Sequence, residues 1–254
     1  MCTVVVLRRK GHDWPLLIAA NRDEMSDRPW RPPGRHWPER AEVMGGLDEL
    51  SGGSWLGLNE DGVVAAVLNR YGTLGPVEGK RSRGELVLEA LDHADAAAAT
   101  AALADLNPAA YRPFNLVIAD DRDACCLYHR DENGRAPLEV AALPEGLSMI
   151  TAFDADDAAD PRIRGSLPRF RRAAVPEPAA GDWAAWQALL ACREPADPAD
   201  PRSALCFLTP SGFGTSSSAL IALPSRRRGG GARAVWLFAA GPPDRAPWAP
   251  VDLG

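Results

Sequence analysis

Short apolar runs, each closed by a polar turn, dominate both ends of the chain, and the helical period enters only in the middle. Residues 3–7 and 16–20 read as strands separated by a polar segment containing Gly11, which predicts a hairpin. Residues 54–59 and 63–69 flank Glu60-Asp61-Gly62, and residues 114–119 and 124–128 flank Asp120-Asp121-Arg122-Asp123, giving two more hairpins. A strand pair is predicted at 138–142 and 148–152, and further strands at 217–223 and 233–239. Residues 26–50, dense in proline, tryptophan and charge, read as an ordered loop.

Helices are predicted where the period changes. Ser82 with Glu85 reads as a capping box opening a helix through Leu86, Leu88 and Leu91 to about Leu106. Asp160-Pro161 reads as an N-cap followed by proline at the first helical position. Asp182 reads as the cap of a helix whose Trp183, Trp186, Leu189 and Leu190 share one face. Hairpins at both ends, central helices and no βαβ alternation predict an α+β fold of antiparallel sheets covered by helices. No internal repeat or linker divides residues 1–254, so one domain is expected.

The 254 residues carry a net charge of −6, which argues against nucleic-acid binding. The compact basic run Arg226-Arg227-Arg228 beside Gly229-Gly230-Gly231 reads as a solvated hairpin loop. Five cysteines without a Cys-x-x-Cys pair, and four dispersed histidines, exclude a zinc site or disulfide framework as the expectation. Arg8-Arg9-Lys10 interrupts the first apolar run, so neither a signal peptide nor a membrane span is expected. The reading is a reduced, cytoplasmic protein without a cofactor, acting on a small molecule.

Cys2 carries the candidate chemistry. Removal of Met1 would place a thiol and a free α-amine on one carbon, and that amine titrates near pH ~7.7–8.0. It can accept the thiol's proton at neutral pH, so nucleophile and base come as one residue. The plain alternative is a small buried residue at a strand start. Asn21-Arg22-Asp23-Glu24 ends the second strand and Asn69 ends a later one. Asp23 is suited to orient an α-ammonium and Asn69 to donate to an oxyanion, an interaction worth ~2.7–4 kcal/mol in other enzymes. The competing readings are an Arg22–Asp23 ion pair at a strand end and an Asn69 turn closed by Gly72.

Met1-Cys2-Thr3, the Asn21-Arg22-Asp23-Glu24 tetrad, Gly53-Ser54-Trp55-Leu56-Gly57 and Gly212-Phe213-Gly214-Thr215 together resemble the NRDE family, also called the transport-and-Golgi-organisation-2-like family. That resemblance implies an N-terminal-nucleophile hydrolase fold, a four-layer αββα sandwich. It also implies Cys2, Asn21, Arg22, Asp23 and Asn69 as site residues for cleaving a carbon–nitrogen amide bond. A more distant similarity is to the choloylglycine and penicillin V acylases, with three departures. Ala20 stands where those acylases have arginine, and Ala152 where they have a second asparagine. Ser216 stands where many relatives have arginine. The resemblance also admits a non-catalytic haem- or lipid-binding protein that retains the fold.

Overall fold

The computed structural model describes residues 2–131, 133, 135–226 and 233–254. It divides into two compact units, Met1–Arg28 with Pro144–Gly254, and Pro29–Leu143. The glycine-flanked basic run lies largely outside the described residues.

The first unit is a six-stranded sheet in the order β10-β1-β2-β11-β12-β13, with every pairing antiparallel. Its strands are β1 (Thr3–Arg8), β2 (Leu16–Met25), β10 (Gly146–Ile150), β11 (Phe213–Leu223), β12 (Val235–Ala239) and β13 (Trp248–Pro250). Helices α3 (Pro161–Arg172) and α4 (Ala184–Leu190) cover one face. There Val5, Leu7, Leu17, Ala19, Leu220 and Ala222 form one apolar cluster with Ile163, Phe170, Trp186 and Leu190. The alternate residues Val4, Val6, Ile18 and Ala20 are buried as well. Burial on both faces is why these strands read as continuous apolar runs without polar alternation.

The second unit is a seven-stranded antiparallel sheet in the order β3-β4-β5-β6-β7-β8-β9. It comprises β3 (Trp30–Gly34), β4 (Val43–Asp48), β5 (Leu56–Asn59), β6 (Val64–Asn69), β7 (Phe114–Ala119), β8 (Ala124–His129) and β9 (Glu139–Ala142). Helices α1 (Gly84–Leu91) and α2 (Ala96–Ala104) pack Leu86, Val87, Leu91, Ala99 and Leu103 onto Ala65, Phe114, Leu116 and Ile118. Each unit is therefore one antiparallel sheet with its helices on a face, the α+β arrangement the patterning predicts.

Five local expectations change. Residues 26–50 contain β3 and β4, and Pro32 and Pro33 are tolerated because β3 is an edge strand that needs no donors on its outer side. The strands predicted near 138–142 and 148–152 do not pair with each other: β9 joins β8 and β10 joins β1. The long alanine-rich helix is two helices, because Asp95 caps α2 by accepting from Ala98 N–H. Ser82 accepts from Gly84 N–H, but Glu85 pairs with Arg81, so no reciprocal capping box forms. The Trp183 helix begins at Ala184, whose N–H bonds the Asp182 carboxylate at 3.1 Å.

Gly53 meets the backbone of Gly84 so closely that a Cβ would lie 2.5 Å from the Gly84 carbonyl carbon. Ser54 N–H bonds the same carbonyl at 3.0 Å, locking strand entry to the start of α1. Gly53→Ala is predicted to destabilise by about 1–3 kcal/mol through overpacking. Thermal denaturation checks this, and an unchanged Tm contradicts the close approach.

Candidate active site

The β1–β2 register sets Thr3 opposite Asn21, and one further step brings Cys2 beside Arg22. The Cys2 thiol donates to the Asp23 carbonyl oxygen at 3.8 Å. β2 is flanked by both β1 and β11 at this point, so its polar end is enclosed. Asn21, Arg22 and Asp23 are all buried. Strand alternation divides them. Asn21 and Asp23 share the helix-covered face with Thr3, while Arg22 falls on the opposite face, where continuing the β1 alternation also places Cys2.

Asp23 is the most deeply engaged of the tetrad. Its Oδ2 accepts from Arg162 Nη1 at 2.9 Å and its Oδ1 from the Thr215 hydroxyl at 2.9 Å. Arg162 Nη1 also donates to Thr3 Oγ1 at 2.8 Å, and Nη2 to the Arg202 carbonyl. The guanidinium carbon lies 5.3 Å from the centre of the Phe207 ring. Both charged side chains are 0% exposed. Two charges so fully desolvated persist only when each is paired and hydrogen-bonded, as these are. The start of α3 aims Arg162: Asp160 Oδ1 accepts from Arg162 N–H at 2.8 Å, and its Oδ2 accepts from Thr151 Oγ1 at 2.5 Å.

Asn21 does structural work. Its amide donates to the carbonyls of Leu190 and Leu205, at 3.0 and 2.8 Å, while its oxygen accepts from Ser218 Oγ at 2.5 Å. It ties β2 and β11 to the end of α4. Arg22 bonds Ser216 Oγ through Nη1 at 3.3 Å and lies 3.9 Å from Glu24. Ser216 occupies the bulge between Thr215 and Ser217, and its hydroxyl returns to the Arg22 carbonyl at 3.2 Å. Asp23 turns to Arg162 and Thr215, and Arg22 to Ser216 and Glu24.

Burial pushes the half-buried Cys2 thiol above its ordinary value, opposed first by the terminal ammonium. The Asp23 charge adds to the rise, and the Arg22 charge lowers it. Asn69 ends β6 in the other unit, opposite Phe114. Alternation puts it on the face of Val67 and Ala65, the side covered by α1 and α2.

Arg162, Thr3, Thr215 and Ser218 are the site residues that sequence reasoning missed. The Asp160-Pro161 cap was the available signal, since it fixes the helix start from which Arg162 projects. Among the described residues no cluster of His, Cys, Asp or Glu is arranged to hold a metal, and no helix is long and apolar enough to cross a membrane.

The family model described as Transport and Golgi organisation 2 matches residues 1–152. The Transport and Golgi organization protein 2 homolog of Bos taurus is 34% identical over 140 residues, covering 52% of this chain and 50% of that protein. The Homo sapiens homolog is 32% identical over 120 residues, covering 44% and 43%. The chain thus spans half or less of the curated relatives it matches. Among solved structures, the Caenorhabditis elegans ortholog of N-acylethanolamine-hydrolyzing acid amidase aligns with a TM-score of 0.52 at 14% identity, over 87% of this chain and 92% of that one. A conjugated bile acid hydrolase from Clostridium perfringens aligns with a TM-score of 0.52 at 13% identity, over 99% and 97%. At these identities the likeness is one of fold, that of the N-terminal-nucleophile hydrolases.

Two outcomes are predicted from this geometry. Arg162→Met leaves the Asp23 charge buried and unpaired, costing about 3–5 kcal/mol. Adding Asp23→Asn should recover part of that loss, which a double-mutant cycle in urea measures; strict additivity contradicts the coupling. In protein carrying an N-terminal extension, alkylation of Cys2 at pH ~7 should be slower than that of free cysteine, and its climb should come at higher pH than free cysteine's. The sign follows from burial, which disfavours the thiolate, and Arg22→Gln should move the climb higher still. Rates read by mass spectrometry check both statements.

Proposed function

We propose that this chain, which belongs to the Transport and Golgi organisation 2 family, is an N-terminal cysteine hydrolase that cleaves the carbon–nitrogen bond of a small acyl-amide. The observation that carries this reading is the placement of Cys2 beside Arg22, its thiol bonded to the carbonyl of Asp23, the residue whose side chain is held in the buried pair with Arg162. The reading requires loss of Met1.

In the proposed reaction the Cys2 α-amine takes the thiol proton and the sulfur attacks the carbonyl carbon. The C–N bond then breaks, and the proton passes to the departing amine. A thioester remains on Cys2. Water, with its proton drawn to the same amine, attacks that thioester and releases a carboxylic acid and the free thiol. The sum is amide plus water giving acid plus amine.

Arg22 offsets the burial that works against the thiolate. Asp23 orients the N-terminus from a position that Arg162, Thr215 and Thr3 hold still. Such positioning is valuable because a nucleophile displaced by about 1 Å can lose ~10²-fold in rate. Asn69 enters through the family resemblance alone, as donor to the oxyanion, since its place on β6 follows Val67 on the side of α1 and α2.

Intact-mass measurement on untagged protein is predicted to find Met1 absent; its retention overturns the mechanism. On a panel of acyl-amides, Cys2→Ala should abolish turnover. Asn69→Ala should lower kcat by about 10²–10³. Turnover undiminished in Cys2→Ala overturns the nucleophile assignment.

A further inference from the structure

A second feature stands on the Pro29–Leu143 unit, independent of what Cys2 does. Residues 70–83 join β6 to α1 without a helix or strand of their own. Three large apolar side chains in this segment face outward: Tyr71 is 64% exposed, Leu74 45% and Val77 45%. Isolated exposed apolar residues are ordinary, but three within seven residues of one loop form a patch.

The loop is fastened from beneath. Arg112 donates to three of its carbonyls, those of Leu74, Gly75 and Gly72, at 2.6, 3.0 and 3.3 Å. Thr73 is buried, and its hydroxyl bonds the carbonyls of Arg70 and Pro113. Arg83 reaches both Thr73 Oγ1 and the Pro113 carbonyl, and Lys80 reaches the Ala109 carbonyl at 2.7 Å. The apolar side chains are thus displayed by an ordered backbone, so little ordering entropy opposes their insertion elsewhere.

Charge selects the occupant. Arg81 pairs with Glu85 and Glu89 of α1, which leaves Arg70, Lys80 and Arg83 against the single acid Glu78 of the segment, in a chain whose net charge is −6. Arg112 adds a fourth cation beneath the loop. Apolar tips above a base of cations fit an anionic bilayer: leucine and valine enter the acyl boundary, tyrosine sits at headgroup depth, and the cations, bonded to neutral carbonyls, keep the charge that attracts anionic headgroups. A second copy of the chain fits less well. Three partly exposed side chains offer far less than the ~1,200 Å² of total area that a stable protein interface buries.

We propose that residues 70–83 form a reversible docking loop for an anionic membrane surface. The test is co-sedimentation of the full chain with vesicles of phosphatidylcholine alone or with 30% phosphatidylserine added. Phosphatidylserine vesicles should bind about tenfold more tightly than phosphatidylcholine vesicles, and ~0.5 M salt should weaken that binding through screening. Leu74→Asp combined with Val77→Asp should lower binding by about tenfold while leaving Tm unchanged, because both positions are exposed. The proposal is overturned by wild-type protein that does not sediment with phosphatidylserine vesicles, or by a double variant that binds as well as wild type. Equal binding to both vesicle types also overturns it. A dimer seen by sedimentation velocity and lost in the double variant, without vesicle binding, assigns the loop to self-association instead.

Discussion

A single desolvated ion pair organises the candidate site. Asp23 and Arg162 are fully buried, and their mutual bond is supplemented by Thr215 on the carboxylate and by Thr3 on the guanidinium. Such a pair contributes less to stability than to uniqueness of geometry, because the cost of removing both charges from water offsets much of their attraction. What it supplies is rigidity at one point. β1, β2, β11 and the start of α3 all meet at Asp23, and none can shift without stranding a charge. Cys2 lies one residue before Thr3, the β1 member of that junction.

Around this centre the other polar groups divide by strand face. Asn21 satisfies two carbonyls and a hydroxyl on the helix-covered side, anchoring the end of α4 and residue 205 to the sheet. Arg22, one residue later, points the other way and brings positive charge to the thiol's side. A single tetrad thus serves two purposes: alternate residues tie the strands to the helices and set the charge around the Cys2 thiol. The β11 bulge at Ser216 lets both Thr215 and Ser218 reach the helix-covered side, where simple alternation from Thr215 would put Ser218 on the opposite face.

Much of this was legible in the residues and some was not, for identifiable reasons. The hairpins β1–β2, β5–β6 and β7–β8 announce themselves because doubly buried strands are unbroken apolar runs closed by Gly or Asp turns. β3 is hidden by its own prolines, which only an edge position permits. β9 and β10 look like a hairpin because three residues separate them, yet the chain passes there from one sheet to the other. Cys2 and the tetrad were visible as chemistry. Arg162 was not: it is 139 residues from Asp23, in a helix that also carries Arg164, Arg169, Arg171 and Arg172, and only the fold distinguishes it. The family match, residues 1–152, also stops short of it.

The role proposed for Cys2, freed of Met1, is that of an acyl-accepting nucleophile beside the Asp23–Arg162 junction. Trapping the thioester tests it most directly. Mature protein is incubated with an activated acyl ester, quenched in acid and digested, and the acyl mass is located by tandem mass spectrometry. The account predicts a single acyl adduct on the N-terminal Cys2 peptide, absent in Cys2→Ala. Acylation spread over Cys125, Cys126, Cys192 and Cys206, or none on Cys2, would contradict it.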